Sequence, residues 1–153
     1  MPFSLARNDI TKMTVDAIVN SAHVSLQHGS GVCGAIFRAA GSRELQAECE
    51  KLSPIRMGEA VITPAFKLNA KFIIHTAGPI YQDGLSGEDT LLRSCYTNSL
   101  KLAAAHGCKS IAFPVISVGI HRYPREEALR IAETAIQDFL KENDMNVYLV
   151  MLG

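Results

Sequence analysis

The chain has 153 residues, 48% of them hydrophobic, with 15 basic side chains, 15 acidic ones and a formal net charge of zero. A chain of this length buries roughly 70% of the surface its unfolded form exposes, enough for a layered core without disulfide or metal staples, and its interspersed signs leave no basic stripe for nucleic acid or an anionic membrane. Cys33, Cys49, Cys95 and Cys108 form no C-x-x-C pair and no short Cys/His cluster, and no apolar run is long enough for a signal peptide or a membrane span, so free thiols and a cytoplasmic location are expected.

In chain order, short apolar runs alternate with stretches of helical period, the pattern of an α/β layered fold with a largely parallel sheet. Val15 to Val19 is expected as the first strand. A helix follows in which Val32, Ala35, Ile36 and Ala39 share one face before Gly41 stops it, and Ser42 is expected to cap a further short helix through Leu45 and Cys49. Pro54 and Gly58 mark a loop; Ala60 to Thr63 and Phe72 to Thr76 are expected strands, and a helix runs from about Glu88 to Gly107. Ser110 to Ile116 is the next strand, Leu129, Ala132, Ile136, Phe139 and Leu140 repeat at helical spacing, and Val147 to Leu152 closes the chain. Most strands are apolar on consecutive positions, so they are expected to be covered on both faces. No repeat, linker or low-complexity tract divides residues 1–153, and one domain is expected.

Two places share one grammar: a buried strand, a glycine-bearing loop and a helix start. The first runs from Val15 to Asn20 through Ser21 to Gly31 into the helix opened by Val32; the second runs from Ser110 to Ile116 through Ser117, Val118, Gly119, Ile120 and His121. Ligands of open α/β sheets bind outside the carboxyl ends of strands, where helix N-termini present unpaired N–H groups. Gly29, Gly31 and Gly119 let backbone approach a phosphate closely, so two such loops side by side would cradle a diphosphate; taken singly, each reads more readily as a tight turn. Neither loop is a G-x-x-x-x-G-K-[ST] or a G-x-G-x-x-G motif, which excludes the common nucleotide triphosphatase and dehydrogenase readings.

The same residues resemble a known family. Asn8-Asp9-Ile10-Thr11, Val15-Asp16-Ala17-Ile18-Val19-Asn20, Gly31-Val32 with Gly34-Ala35-Ile36 and Arg38-Ala39-Ala40-Gly41, Ile73-Ile74-His75-Thr76 with Gly78-Pro79, and Ser110 to Pro114 through Ile116-Ser117 and Gly119-Ile120 together are similar to the macro domains that bind ADP-ribose. The resemblance implies a three-layer α/β/α sandwich with a mixed, mostly parallel six-stranded sheet. It implies that Asp9 accepts from the adenine amino group, with the Ile10 amide on the ring edge and guanine disfavoured; the alternative for Asp9 is a helix or turn cap. It further implies that Gly31, Val32 and Cys33 give amides to one phosphate, and that Ser117, Val118, Gly119 and Ile120 give them to the other. Asn20 matches the first asparagine of the family's Asn-Ala-Ala-Asn segment.

The chain departs from the family's hydrolytic members at the distal ribose. Where those members carry a second asparagine, an aspartate and a histidine, this chain has His23, Cys33 and Phe37. The first loop is thinned to His28-Gly29-Ser30-Gly31, and the second reads Ser117-Val118-Gly119-Ile120-His121-Arg122-Tyr123. Without the aspartate, a water attacking the ribose carbon loses its carboxylate. Cys33 at a helix start and His23 form a nucleophile pattern and are the catalytic candidates; alternatively Cys33 is a half-buried hydrophobe and His23 a hydrogen-bonding replacement for asparagine.

His121 suits stacking on a ribose and Arg122 pairing with a phosphate, or both are solvated loop residues. His75 reads as a core histidine and His106 suits a helix C-terminus. His23, His28, Cys33 and His121 have no metal-ligand spacing, so no metal and no cofactor are expected. The sequence thus points to recognition of ADP-ribose or a derivative, with an ADP-ribosylated protein as a partner. The alternatives are an ADP-ribosyl hydrolase or O-acyl-ADP-ribose deacylase with an atypical catalytic set, or an interaction module that has lost nucleotide binding.

Overall fold

A computed structural model describes residues 2–119 and 121–151. Six strands, β1 (Phe3–Arg7), β2 (Ala17–Ala22), β3 (Ala60–Pro64), β4 (Phe72–Ala77), β5 (Ser110–Pro114) and β6 (Asn146–Met151), form one sheet in the order β1-β6-β5-β2-β4-β3. Among the described residues only the β3–β4 pair is antiparallel. The helices are α1 (Gly31–Ala40), α2 (Ser42–Leu52), α3 (Glu88–Ala105) and α4 (Arg125–Leu140). This is the expected mixed, mostly parallel six-stranded sheet between helical layers.

The consecutive apolar residues of the central strands supply both faces of the sheet. Ala17, Val19, Ile74, Ile111, Phe113, Val147 and Leu149 point to a core shared with α3 and α4, while Ile18, Ile73, Ala112 and Val150 point to a second core shared with α1 and α2. In α4, Ala128, Ala132, Ala135 and Ile136 repeat at three-and-four spacing and are buried, and Glu126 and Glu127 occupy the first turn, where the helix dipole favours acids. Each fully buried Ile or Leu side chain in these layers is worth about 1.5–3 kcal/mol relative to exposure.

Several boundaries differ from the sequence expectation. β1 was not expected: it is an edge strand whose residues alternate between half-buried and exposed, with Leu5 turned outward, so no continuous apolar run announces it. Ser42 is the first residue of α2 rather than its cap; Gly41, at φ 112°, stands at the cap position. β2 begins at Ala17 and runs on to Ala22, because the Asp16 amide is taken by Ser110 Oγ (2.8 Å) and the Val15 amide by the Asn69 carbonyl (3.3 Å) before the ladder starts. β5 ends at Pro114, and the Ile116 amide donates instead to Tyr96 Oη at 3.0 Å.

The topology fixes where a ligand would sit. β2 and β5 are adjacent and parallel. After β2 the chain passes through α1 on one face towards β4 and β3; after β5 it passes through α4 on the other face towards β6. The loops leaving the carboxyl ends of these two strands therefore diverge and leave a crevice between them, the switch point of an open α/β sheet.

Candidate functional site

Two hollows meet at that crevice. One, of about 330 Å³, is lined from β2 and the loop after it by Ser21, Ala22, His23, Gln27, Gly29 and Ser30, from α1 by Gly31, Val32 and Cys33, and from the second loop by Pro114, Val115, Ser117, Gly119 and His121. The other, of about 510 Å³, is lined by Asn8, Asp9, Ile10, Thr11, Gly31, Val32 and Ala35. Gly31 and Val32 belong to both, so the two are parts of one groove that passes over the start of α1.

The start of α1 is uncapped. Ser30 holds the cap position without a side-chain hydrogen bond, and the amides of Gly31, Val32 and Cys33 meet no acceptor among the described residues. Gly34 explains how the loop comes so close: a Cβ there would lie 2.5 Å from the Gly29 carbonyl oxygen, so only glycine lets the loop fold back against the helix. On the opposite wall, Ser117 has a left-handed φ of 69° and is held by its Oγ donating to the Pro79 carbonyl (2.8 Å) and by its own carbonyl accepting from the Tyr123 amide (2.8 Å). Gly78 is needed beneath it, because a Cβ there would collide with Ser117 Oγ. The amides of Ser117, Val118 and Gly119 also meet no acceptor among the described residues. Gly31, Val32 and Cys33 on one side and Ser117 and Gly119 on the other thus line one crevice with amides that meet no acceptor among the described residues, an arrangement suited to an anion with two phosphates, whereas Val118, expected in the second set, is not among the lining residues. Ile120, expected in the second set, lies outside the described residues.

At the other end, Asp9 caps the 3-10 turn Ile10–Lys12: Oδ1 accepts from the Thr11 amide (3.0 Å) and from Thr11 Oγ1 (2.7 Å). The Thr11 hydroxyl and amide hold the Asp9 carboxyl below its ordinary value. The cap occupies only Oδ1, so the cap and the ligand roles are compatible: among the described residues Oδ2 and the Ile10 amide meet no partner, and both residues line the hollow.

The remaining expected residues separate into those at the cleft and those beneath it. His23, Cys33 and His121 line the cleft together. Cys33 Sγ donates a long hydrogen bond to the Gln27 carbonyl (3.9 Å), the Ser25 amide donates to His23 Nδ1 (3.2 Å), and the His121 carbonyl accepts from the Tyr81 amide (2.8 Å). Asn20 lies below the floor. It is buried on β2, with Nδ2 donating to His75 Nδ1 at 3.0 Å, and does not line either hollow. Phe37 is fully buried beneath His28, whose ring meets it edge-on at 5.1 Å, so its position offers no group to the cleft. Cys49, Cys95 and Cys108 are buried, and burial pushes the Cys49 thiol up to about 12 and that of Cys95 to about 11. Among the described residues no group of three His, Cys, Asp or Glu side chains is arranged to hold a metal ion, and no helix is long and apolar enough to cross a membrane.

One contributor carried no sequence signal. Glu88, buried at the start of α3, accepts through Oε2 from the amides of Gln82 (2.9 Å), Asp83 (3.1 Å) and Gly84 (3.1 Å) and through Oε1 from Ser86 (2.8 Å). It gathers the loop whose Tyr81 amide and Pro79 carbonyl brace His121 and Ser117.

A groove at the switch point of an α/β/α sandwich, bordered by backbone amides that meet no acceptor among the described residues, is the site this architecture offers. Residues 19–132 match the Macro domain family, and the chain belongs to it. It is 53% identical over 137 residues to a macro domain-containing protein of Mesorhizobium japonicum, covering 90% of this chain and 77% of that one. It is 47% identical over 150 residues to the O-acetyl-ADP-ribose deacetylase of Escherichia fergusonii, covering 94% of this chain and 84% of the relative. The solved structure of the Oceanobacillus iheyensis macrodomain with ADP superimposes with a TM-score of 0.92 at 41% identity, covering 98% of this chain and 82% of that one.

Proposed function

We propose that residues 1–153 form a single macro domain that binds ADP-ribose or a derivative, such as O-acetyl-ADP-ribose or a mono-ADP-ribosylated protein, in the groove between the two loops. The observation that carries this reading is that Gly31, Val32 and Cys33 on one side and Ser117 and Gly119 on the other, whose amides meet no acceptor among the described residues, line one crevice. Asp9 Oδ2 would accept from the adenine amino group, with the Ile10 amide beside it; the first set would hold one phosphate and the second the other, and His121 would stack on a ribose. Asn20, bonded to His75, supports the strand that leads into the cleft. Four free thiols suit a reducing compartment, in keeping with a cytoplasmic protein.

Calorimetric titration of metal-free protein with ADP-ribose, using AMP and GDP-mannose as controls, tests the reading. Micromolar or tighter binding, about −8 kcal/mol or better, with no heat from GDP-mannose is expected. Absence of heat together with an unshifted melting temperature would refute it.

The relative named as a deacetylase favours a second reading, hydrolysis of the acyl group of O-acetyl-ADP-ribose. Among the described residues no carboxylate lines this hollow; of its titratable side chains, His23, Cys33 and His121, the first two form the nucleophile pattern. Release of acetate that is abolished by both His23→Ala and Cys33→Ala would establish this activity, while binding without turnover would leave a reader of the ligand.

A further inference from the structure

A loop holds an anion when its N–H groups turn towards the charge and its carbonyl oxygens turn away. In the second wall the carbonyls of Ser117 and Gly119 are taken up locally, by the amides of Tyr123 (2.8 Å) and Arg122 (3.0 Å). Where β5 gives way to that loop, the backbone is instead held from outside, by Tyr96 of α3. Its Oη accepts from the Ile116 amide (3.0 Å) and donates to the Pro114 carbonyl (3.4 Å). Building on the ADP-ribose reading above, we infer that Tyr96 is a positioning residue for ligand binding. Its hydroxyl draws one carbonyl and one amide of the β5 exit onto α3 and so sets the Ser117 and Gly119 amides at the crevice.

Packing alone does not call for a hydroxyl at this position. Tyr96 is fully buried on the face of α3 that also carries Leu92, Cys95 and Leu100, and its ring lies 5.0 Å from that of Phe113 on β5. Phenylalanine would fill the same space, and a buried hydroxyl costs stability unless it is hydrogen-bonded. Burial holds the phenol well above its ordinary pKa, so it stays protonated and donates to Pro114 while accepting from Ile116. These two partners are the last paired residue of β5 and the residue immediately before Ser117. Among the described residues no other side chain hydrogen-bonds the backbone of residues 114–119.

The link from Ile116 to the crevice is short and stiff. Ile116 is fully buried, and a Cβ on Gly78 would lie 2.6 Å from its Cγ2, so the chain has no slack on that side. Ser117 follows with its left-handed φ of 69° and its carbonyl pinned by Tyr123. If the hydroxyl is removed, the Ile116 amide becomes a buried N–H without a partner, and the backbone must rotate to find one. The Ser117 amide, one residue on, is the first cleft group that such a rotation displaces.

The test pairs Tyr96→Phe with Phe113→Leu, which loosens the same packing but keeps the hydroxyl. At a temperature where both variants are folded, Tyr96→Phe should bind ADP-ribose about tenfold more weakly than the parent, and Phe113→Leu within about twofold of it. In the ligand-free parent the Ile116 amide should exchange with solvent at least about a hundredfold more slowly than the Gly119 amide, a measurement that needs no variant to fold. Parent-like affinity in Tyr96→Phe, equal losses of affinity in the two variants, or an unprotected Ile116 amide would each overturn the proposal while leaving ADP-ribose binding intact. Failure of ADP-ribose to bind the parent would overturn the underlying reading and this proposal with it.

Discussion

Asn20 and His75 stand directly opposite each other in register on the parallel strands β2 and β4, and Asn20 Nδ2 meets His75 Nδ1 at 3.0 Å. The other ring nitrogen lies 3.0 Å from Thr63 Oγ1 on β3, and Thr63 donates onward to the Pro64 carbonyl at 3.1 Å. Three adjacent strands are thereby tied by one polar chain beneath the cleft floor, and its directions agree only if His75 is neutral with its proton on Nε2.

That chain makes His75 a reporter of acid sensitivity. Burial lowers its pKa from the ordinary 6.5 to about 4. Between those values the unfolded chain binds a proton that the folded chain does not, so stability present above pH 6.5 is lost as pH falls towards 4, by about 3 kcal/mol in all. The Cε1 proton resonance of His75 should stay flat from pH 8 to pH 5.5 and shift only near pH 4. A midpoint near 6.5 would mean that the ring reaches solvent and that the relay does not exist.

Asp9 separates capping from recognition because the cap uses one oxygen only. Asp9→Asn keeps an acceptor for the Thr11 amide and hydroxyl, so the melting temperature should stay within a degree or two of the parent. It replaces Oδ2 by an amide donor facing the proposed adenine amino group, and ADP-ribose affinity should fall roughly 10- to 100-fold. Calorimetry and a thermal melt on the same sample distinguish the two effects; equal losses in both would make Asp9 a cap and nothing more.

What could be read from the sequence follows the range of the interactions involved. The central strands and α1, α3 and α4 were legible because consecutive apolar residues and three-and-four spacing are local signals. The two loops were legible because glycines after apolar runs mark them. The Asn20–His75 pair joins residues 55 apart, and no local pattern connects them. Glu88 marks a helix start in the sequence, but its grip on the preceding loop works through backbone amides, which any sequence would supply. β1 was missed because a half-buried edge strand needs no apolar run, and Phe37 was legible as a departure from the family's pattern but not as a residue buried beneath His28.

The glycines of the cleft are not equivalent. Gly34→Ala drives a methyl against the Gly29 carbonyl, which is backbone and cannot swing aside, so the variant should lose about 1–3 kcal/mol in urea denaturation and weaken ligand binding as the loop shifts. Gly119 has nothing among the described residues within 4 Å of the place a Cβ would occupy. Gly119→Ala should therefore leave stability within about 0.5 kcal/mol of the parent, and any loss of affinity would report crowding of the bound anion. A large stability loss in Gly119→Ala would show that the loop is packed rather than open.

Glu88 supplies the last test, because its effect should reach the cleft through backbone alone. Hydrogen bonds from the Gln82 amide first, then from Gly84 and Ser86, lower its carboxyl from the ordinary 4.5 to about 2 despite burial. A group depressed in this way contributes stability that is complete above pH 4.5 and is lost as pH falls towards 2. Glu88→Gln puts an amide donor among four backbone donors, so it should lower the melting temperature at pH 7, and its gap to the parent should close as pH falls through that window. Since the loop braces His121 and Ser117, affinity for ADP-ribose should drop while AMP, which on the proposed reading would engage the Asp9 end, should be held as before. A loss of AMP and ADP-ribose affinity in equal measure would point to general unfolding instead of a displaced second wall.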